Sequence, residues 1–550
     1  VTLRSPATLA TLEALATWGY VGREDASSMA SAYRFLRILE HRVQLRQMRR
    51  THLFPERESE LRIIARSMGM RTNPAAEIED AFGKQVRQVR RLHEKLFYRP
   101  LLNAVARLDS GEARLTPEAA EERLRALGYQ DPRGALRHLE SLTNGVSRRA
   151  AIQRTLLPVM LGWFADCPDP DAGLLGFRRV SDALGATPWY LRLLRDESHT
   201  AERMAHLLAS SRFATDLLLR APEAVQILVD DDELSPRPAQ DIKAEALTAG
   251  LRQVDPEAAI AAIRATRRRE LFRISAADSL GLLSVDDVGP ALSAIADATI
   301  QAALAVATAS VLVDGTQAED LIEFVVVGMG RYGGEELGYG SDADVMFVYR
   351  TREGVDEAAA SDAATSVANE LRRLLALPSA DPPIDMDADL RPEGRNGPIV
   401  RSLASYAAYY ERWSAAWEAQ ALLRARPVAG SPALQDAFIE LIDPIRYPAE
   451  GVSSTDLLEM RRLKARMEAE RLPRGADPAL HLKLGRGGLS DVEWVAQLQQ
   501  LQNGHELAAL RTTRTVPVLE SCVALGLVAE QDAERLIAAW RLASSIRDAI

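Results

Sequence analysis

A mainly α-helical protein with one α+β core is the expectation from three features of the sequence. Hydrophobic residues make up 47% of the 550, and Ala, Leu and Arg recur at helical spacing over most of the chain. Within residues 315–430 that pattern gives way to β-branched, alternating stretches: LIEFVVVGMG, ADVMFVYR and PIDMDADLRP. The length also exceeds what one hydrophobic core usually serves. Four regions are therefore expected: a helical bundle at 1–145, a helical region at 150–312 leading into the core, the α+β core at 313–436, and a second helical bundle at 437–550.

In the first region, SAYRFLRILEHRVQLRQM places Leu36, Leu39 and Val43 on one helical face. Arg34, Arg37, Arg42 and Arg46 fall on the opposite face, where solvation is their ordinary role. THLFPE then ends the helix, because Pro55 cannot continue it. Further on, the acidic run Asp230–Glu233 lies beside Pro236 and Pro238 with no strand to fix it, so it reads as a solvated loop rather than a metal site. ATRRRELFRISAADSLG is a helix with a dense basic face, and Arg267, Arg268 and Arg269 are expected in salt bridges, with phosphate contacts as the alternative. In the core, residues 358–377 form a helix between the strands. Beyond it, Trp413, Trp417 and Glu418 open a helix behind the sheet, both tryptophans being expected in the packing. Asp456 is the expected N-cap of SSTDLLEMRRLKARMEAERL, with Glu459 completing a capping box. The last segment stops in mid-pattern at Ile550 without a closing Gly, so the second bundle is expected to lack its final helices.

Formal net charge is −10 and the sequence pI is near 5.5. An acidic surface disfavours nucleic acid as the main partner, although a local basic patch can still hold a nucleotide. Two distant cysteines, Cys167 and Cys522, exclude a disulfide scaffold and fit a reducing cytoplasm. No signal-peptide pattern opens the chain, and no apolar run is expected to approach the roughly 20 residues of a membrane helix.

The chemistry concentrates in FVVVGMGRYGGEELGYGSDADVMFVY. Gly328, Gly330 and Gly333 spell G-x-G-x-x-G after a strand, as a dinucleotide turn would. Such a turn needs a crossover helix, and Gly334 to Ser341 is shorter than the dozen or so residues a parallel crossover takes. Gly338 and Gly340 would also disrupt a helix there. A Walker A loop fails because no G-K-[ST] follows. A glycine-rich turn between two adjacent strands accounts for the whole stretch: its backbone N–H groups can cradle phosphate oxygens. Asp342 and Asp344, at i and i+2, then share a face, while Val345, Phe347 and Tyr349 take the other. Two carboxylates beside a phosphate cradle suit Mg²⁺, which binds one or two carboxylates plus substrate phosphates. IDMDADLRP adds Asp385, Asp387 and Asp389 on one strand face, followed by Arg391 and Arg395, which can neutralise phosphate charge.

This arrangement resembles the polymerase-β-like nucleotidyltransferases. GMGRYGGEELGYGSDADVMFVY, DADLRPEGRNGPIVRSLASYAAYYERWSAAWEAQALLRARPVAG and KLGRGGLSDVEWVAQLQQLQNGHE resemble more closely the glutamine-synthetase adenylyltransferases, in their actinobacterial form. RRRELFRISAADSLGLLS and FLRILEHRVQLRQMRRTHLFPE fit the same family. The resemblance implies a nucleotidyltransferase core flanked by helical bundles. In that family an N-terminal core removes AMP and a C-terminal core adds it, each followed by a bundle. It therefore implies that residues 1–145 are the bundle behind a removing core absent here, and that the removal activity is absent with it.

The implied reaction moves AMP from ATP to a tyrosine of glutamine synthetase, with release of pyrophosphate and Mg²⁺ as cofactor. Asp342 and Asp344 match the family's metal pair. Aligned on Arg391-Pro392, Asp387 takes the place of the third acid and candidate base, with Asp385 and Asp389 as the alternatives. Gly330, Arg331, Gly333, Gly334 and Ser341 would hold the nucleotide, with Arg391 and, from the helical bundle, Lys483, Gly487 and Gly488. Asp491 and Glu493 would orient basic groups, although Ser490 or Asp491 serves equally as a helix cap. A PII-type signal protein is an implied partner, with no nucleic acid and no membrane, in the cytoplasm. The competing readings are the same chemistry on a small-molecule, RNA or other protein acceptor, and a binding module whose metal site has decayed. The acidic pI weighs against RNA, and intact Asp342, Asp344 and Asp387 weigh against decay.

Overall fold

The computed structural model describes residues 6–17, 23–93 apart from 49 and 56, 117–144, and 148–549 apart from 186, 414, 471, 473, 474 and 476. The chain divides into two compact units, Val1–Thr215 and Asp216–Ile550.

Among the described residues of the first unit every regular element is a helix. In the helix Arg23–Gln47, Leu39 and Val43 are buried against Leu61, Ile64 and Ile78, while Arg34, Arg37, Arg42 and Arg46 are exposed. The 3.6-residue period thus separates core from solvent as expected. The helix stops at Gln47, before Pro55 is reached. Phe54 instead stacks on Phe82 at 4.3 Å between ring centres.

The second unit holds the sheet. Its five strands are β1 (Ile322–Gly328), β2 (Ala343–Thr351), β3 (Met386–Asp387), β4 (Val400–Ser402) and β5 (Arg426–Gly430), in the order β3-β2-β1-β5 with β4 also paired to β2. β1 is antiparallel to both β2 and β5. β3 and β4 run parallel to β2. The antiparallel β1–β2 pair excludes a dinucleotide crossover and leaves the glycine-rich segment as a direct connection between neighbours. Val325, Val326, Val327, Val345, Met346, Phe347 and Val348 are all buried, so the central strands have apolar residues on both faces. One set, Val325, Val327, Met346 and Val348, packs on Tyr406, Tyr410, Leu434 and Phe438. The helices Val285–Ser310 and Glu357–Leu375 also pack on the sheet.

The helix Val285–Ser310 corrects the expectation about apolar runs. It is 26 residues long, and by length and composition alone it would cross a membrane. Its apolar window is 72% buried inside the protein, against Ala239–Leu251, Pro256–Ser279, Glu357–Leu375 and β5. Small Ala and Thr residues let these helices approach closely, which makes it the core helix of the unit.

The basic helix Pro256–Ser279 starts at Asp255, whose carboxylate accepts from Ala258 N–H at 2.9 Å, with Pro256 at the first helical position. Its arginines hold the segment that leads into β3. Arg264 donates to Leu375 O at 2.7 Å, Arg267 to Pro382 O, Arg268 to both oxygens of Asp381 at 2.8 and 2.9 Å, and Arg269 to Glu245. Salt bridges and carbonyl contacts thus occupy the triplet. The acidic run also has a structural use: Asp230 caps the one-turn helix Asp231–Leu234.

In the C-terminal bundle, Leu489, Val492, Leu519, Cys522 and Trp540 form the core. Ser453, not Asp456, caps the helix Ser454–Glu470. Its hydroxyl accepts from Asp456 N–H at 3.1 Å and donates to the Asp456 carboxylate at 2.7 Å, so Asp456 is the third residue of the helix. Trp417 is half-buried, and the Trp413 side chain lies outside the described residues.

Candidate active site

β1 ends at Gly328 and the chain makes one helical turn, Gly330–Gly333, before returning as β2. Met329 N–H donates to Asp344 O at 2.8 Å, which ties the turn to the returning strand. Gly330 has φ +52, and a Cβ there would lie 2.2 Å from Asp344 Oδ2. Only glycine brings the backbone this close to the carboxylate.

Gly333 and Gly334 are small for a different reason. A Cβ on Gly333 would lie 1.9 Å from Arg424 O and 2.3 Å from Gly328 O, and one on Gly334 would meet Arg424 Nη1 at 2.2 Å. Their first requirement is packing. Gly340 has open space around it. Gly333→Ala is therefore expected to lower stability by about 3 kcal/mol or more, and Gly340→Ala by no more than about 0.5 kcal/mol. Urea melts of the two variants check this.

Asp344 lies on β2 and Asp342 one residue before it. The parallel β2–β3 register sets Asp344 directly beside Asp387, and Ala343 N–H donates to Asp385 O at 2.8 Å. Burial pushes the Asp344 carboxyl up to about 6; Lys483 draws it down, Asp387 and Asp342 push it up, and Arg331 draws it down. Three acids and two cations are thus near enough to feel one another, although Lys483 arrives from the helical bundle.

The expected face of three acids along one strand is shorter than the sequence suggests, because β3 comprises only Met386 and Asp387. The chain turns there, with Asp389 N–H donating to Asp387 Oδ1 at 2.8 Å. Asp389 pairs with Arg395 at 2.5 Å and lies 3.8 Å from Arg391. Arg391 itself donates to the carbonyls of Ala388 and Gly397 at 2.7 and 3.2 Å. Arg391 and Asp389 thus shape the turn. Asp387 is the acid that stands in register with Asp344.

Ser341 Oγ accepts from Gly338 N–H at 3.0 Å. Arg331 Nε lies 3.4 Å from Glu493 Oε1, and its Nη2 is buried without a partner. In the bundle, Lys483 is exposed and Gly487 has φ +79 with open space around it. Gly488 is hemmed in by the carbonyls of Leu482 and Gly485. Asp491 accepts from Gly487 N–H at 2.7 Å and from Lys464 Nζ, so it braces the loop from the first turn of the helix Leu489–Asn503. Gly488, rather than Ser490 or Asp491, occupies the N-cap position.

Two buried clusters support the turn from behind, and neither is evident in the sequence. Tyr332 OH donates to Asp297 at 2.8 Å, and Arg426 grips the same carboxylate with both guanidinium nitrogens, at 2.6 and 3.1 Å. Glu336 accepts from Arg424 at 2.8 Å and from Thr515 N–H at 2.5 Å, while Arg424 also donates to Thr513 O and Thr515 Oγ1, each at 2.6 Å. An aspartate within a long apolar helix is the one local sign of the first cluster. The second joins residues too far apart in sequence for pattern reading.

The donor set fits a hard divalent cation. No hydrogen bond reaches the side chains of Asp342 or Asp344 from the described residues, and the repulsion that Asp342 and Asp387 exert on Asp344 is opposed by Lys483 and Arg331. Among the described residues no group of three or more His, Cys, Asp or Glu side chains is placed to hold a metal ion by itself.

Comparison with known proteins finds relatives along the whole chain. Residues 201–441 match the family model of glutamate-ammonia ligase adenylyltransferase. Residues 2–97 and 459–550 match that of PII-uridylyltransferase. The bifunctional glutamine synthetase adenylyltransferase/adenylyl-removing enzyme of Streptomyces avermitilis is 57% identical, covering 100% of this chain and 56% of the relative. Those of Cutibacterium acnes and Mycobacterium tuberculosis strain H37Rv are each 48% identical over 100% of this chain, covering 54% and 56% of the relatives. The chain spans about half the length of the curated relatives it matches. On these similarities, and on a glycine turn that meets paired carboxylates, the chain belongs to the glutamine synthetase adenylyltransferase family.

Proposed function

We propose that this chain transfers the AMP of ATP to a tyrosine hydroxyl of glutamine synthetase and releases pyrophosphate. The observation that carries the reading is the β2–β3 register: it sets Asp387 beside Asp344, next to Gly330 and within the field of Lys483 and Arg331. A sheet with a glycine turn, an Asp-x-Asp and a third Asp on the adjoining strand supports a polymerase-β-like core.

In the reaction the tyrosine oxygen attacks the α-phosphorus. The new O–P bond forms as the bond to pyrophosphate breaks, and the phenolic proton goes to a carboxylate. Asp387 is the candidate acceptor of that proton, since a free phenol, with a pKa of about 10, is a poor nucleophile near neutrality. Gly330, Arg331 and Lys483 hold and neutralise the polyphosphate, with Gly487, its N–H held by Asp491, leaving open space near Lys483. Mg²⁺ held by Asp342, Asp344 and Asp387 would supply Lewis-acid stabilisation of phosphate charge. Glutamine synthetase as acceptor is supported by the names of the relatives. The bundle segments that match a PII-uridylyltransferase model favour a PII-type protein as regulatory partner. A different acceptor, protein or small molecule, is the second reading, and the named relatives favour the first.

The test is direct. With Mg²⁺ and ATP labelled at the α-phosphate, the chain is expected to place label on tyrosine of glutamine synthetase in a covalent, hydroxylamine-resistant form. Label from γ-phosphate, or none from α-phosphate, would overturn the proposal.

A further inference from the structure

A cavity of about 460 Å³ opens beside the carboxylates, lined by Asp342, Asp385, Asp387 and Asp389 and by three arginines. Two of these arginines are already engaged, Arg391 by backbone carbonyls and Arg395 by Asp389. The third, Arg372, stands in the last turn of the helix Glu357–Leu375. It is exposed and makes no side-chain hydrogen bond or ion pair with the described residues. An arginine facing four aspartates across a cavity, yet paired with none, is available to a group from outside.

The occupant follows from what lines the cavity and what does not. Arg331 and Lys483, the cations proposed to serve the polyphosphate, are not part of this wall. The cavity thus shares Asp342 and Asp387 with the proposed site but not its polyphosphate cations, which leaves it to the other reactant, the acceptor. An acceptor segment entering it meets four aspartates and three arginines, of which Arg372 alone has no side-chain partner among the described residues. A carboxylate on that segment is repelled by the aspartates and gains a free fork of donors at Arg372.

We infer that Arg372 is an acceptor-specificity residue, pairing with a carboxylate of the acceptor protein close to the tyrosine that receives AMP. The inference rests on the transfer reaction proposed above. Like-charge juxtaposition elsewhere in the cavity makes the contact selective in register as well as in affinity.

The experiment is steady-state AMP transfer to glutamine synthetase by the whole chain and by Arg372→Ala, Arg372→Glu and Arg372→Lys, with thermal melts in parallel. The side chain is exposed, so the melts are expected to coincide. KM for the acceptor is expected to rise about fivefold in the Ala variant and further in the Glu variant, with most of the loss recovered by Lys. KM for ATP and kcat at saturating acceptor are expected to stay within about twofold. An unchanged acceptor KM in the Ala and Glu variants overturns the inference and leaves the proposed reaction standing. A shift in KM for ATP instead assigns Arg372 to the nucleotide and also overturns it. Failure of the unsubstituted chain to label glutamine synthetase removes the proposed reaction itself, and this inference with it.

Discussion

Asp344→Asn is expected to abolish AMP transfer while making the ligand-free protein more stable. The loss of activity should be at least about 1,000-fold, or some 4 kcal/mol of transition-state stabilisation. The gain in stability has a separate origin. Asp344 is buried beside Asp342 and Asp387, and its carboxyl is pushed up to about 6 from an ordinary value near 3.8. A carboxyl raised in the folded state binds its proton more tightly there than in the unfolded chain. Folding therefore bears no penalty from this group below about pH 4, a growing one between pH 4 and 6, and the full one above pH 6. The full penalty is of order 3 kcal/mol at most. Asparagine removes it, so the variant should exceed wild type in stability at pH 7.5 and match it at pH 4. Urea melts at the two pH values measure the difference. Mg²⁺ with ATP should stabilise wild type more than the variant, which keeps Asp342 and Asp387 but has lost one of the three carboxylates. A variant that is less stable at pH 7.5, or that retains transfer, would contradict the assignment of Asp344 to the cation and nucleotide.

That trade of stability for chemistry is partly visible in the sequence. FVVVGMG and DADVMFVY are neighbours in the chain and partners in the sheet, so period-2 alternation and a short connection suffice to derive the antiparallel pair. The same reasoning puts Asp342 and Asp344 together, because residues two apart on a strand share a face whatever the rest of the fold does. It overreached at Asp385, Asp387 and Asp389, where the strand is only two residues long. The alternation was present, but the hydrogen bond from Asp389 N–H to Asp387 Oδ1 turns the chain before a third residue can join the ladder. The helix Val285–Ser310 falls within the region expected to be helical, but its apolar length is masked because Ala, Thr, Gly and three aspartates interrupt its larger apolar residues. Arg372 was equally silent. A basic residue in the last helical turn ordinarily serves the helix dipole, and only the approach of β3 and its acids gives this one a further use.

The support behind the glycine turn was the least accessible feature, and it carries the second large expectation. Glu336 and Arg424 are 88 residues apart, and Thr515 is a further 91 from Arg424. Their side chains are almost wholly buried, at 5% exposure for Glu336 and 7% for Arg424. Isolated charges would not remain there. Arg424 is satisfied by Glu336, Thr513 O and Thr515 Oγ1, and Glu336 by Arg424, Thr515 N–H and the Thr515 hydroxyl. Removing one partner leaves the other charged, buried and unpaired, so Arg424→Ala and Glu336→Ala should each cost about 3–5 kcal/mol. Replacing both by apolar residues of similar volume, as in Glu336→Leu with Arg424→Met, should cost markedly less than the two single losses added together. A double-mutant cycle by urea unfolding measures that coupling. The cluster joins the residue just beyond the phosphate turn to the helical bundle that supplies Lys483. The double apolar variant should consequently fold yet show a raised KM for ATP, because the bundle is no longer fixed to the turn by directed hydrogen bonds. Additive single losses with an unchanged KM for ATP would mean that the cluster neither couples its members nor aligns Lys483 with Asp344.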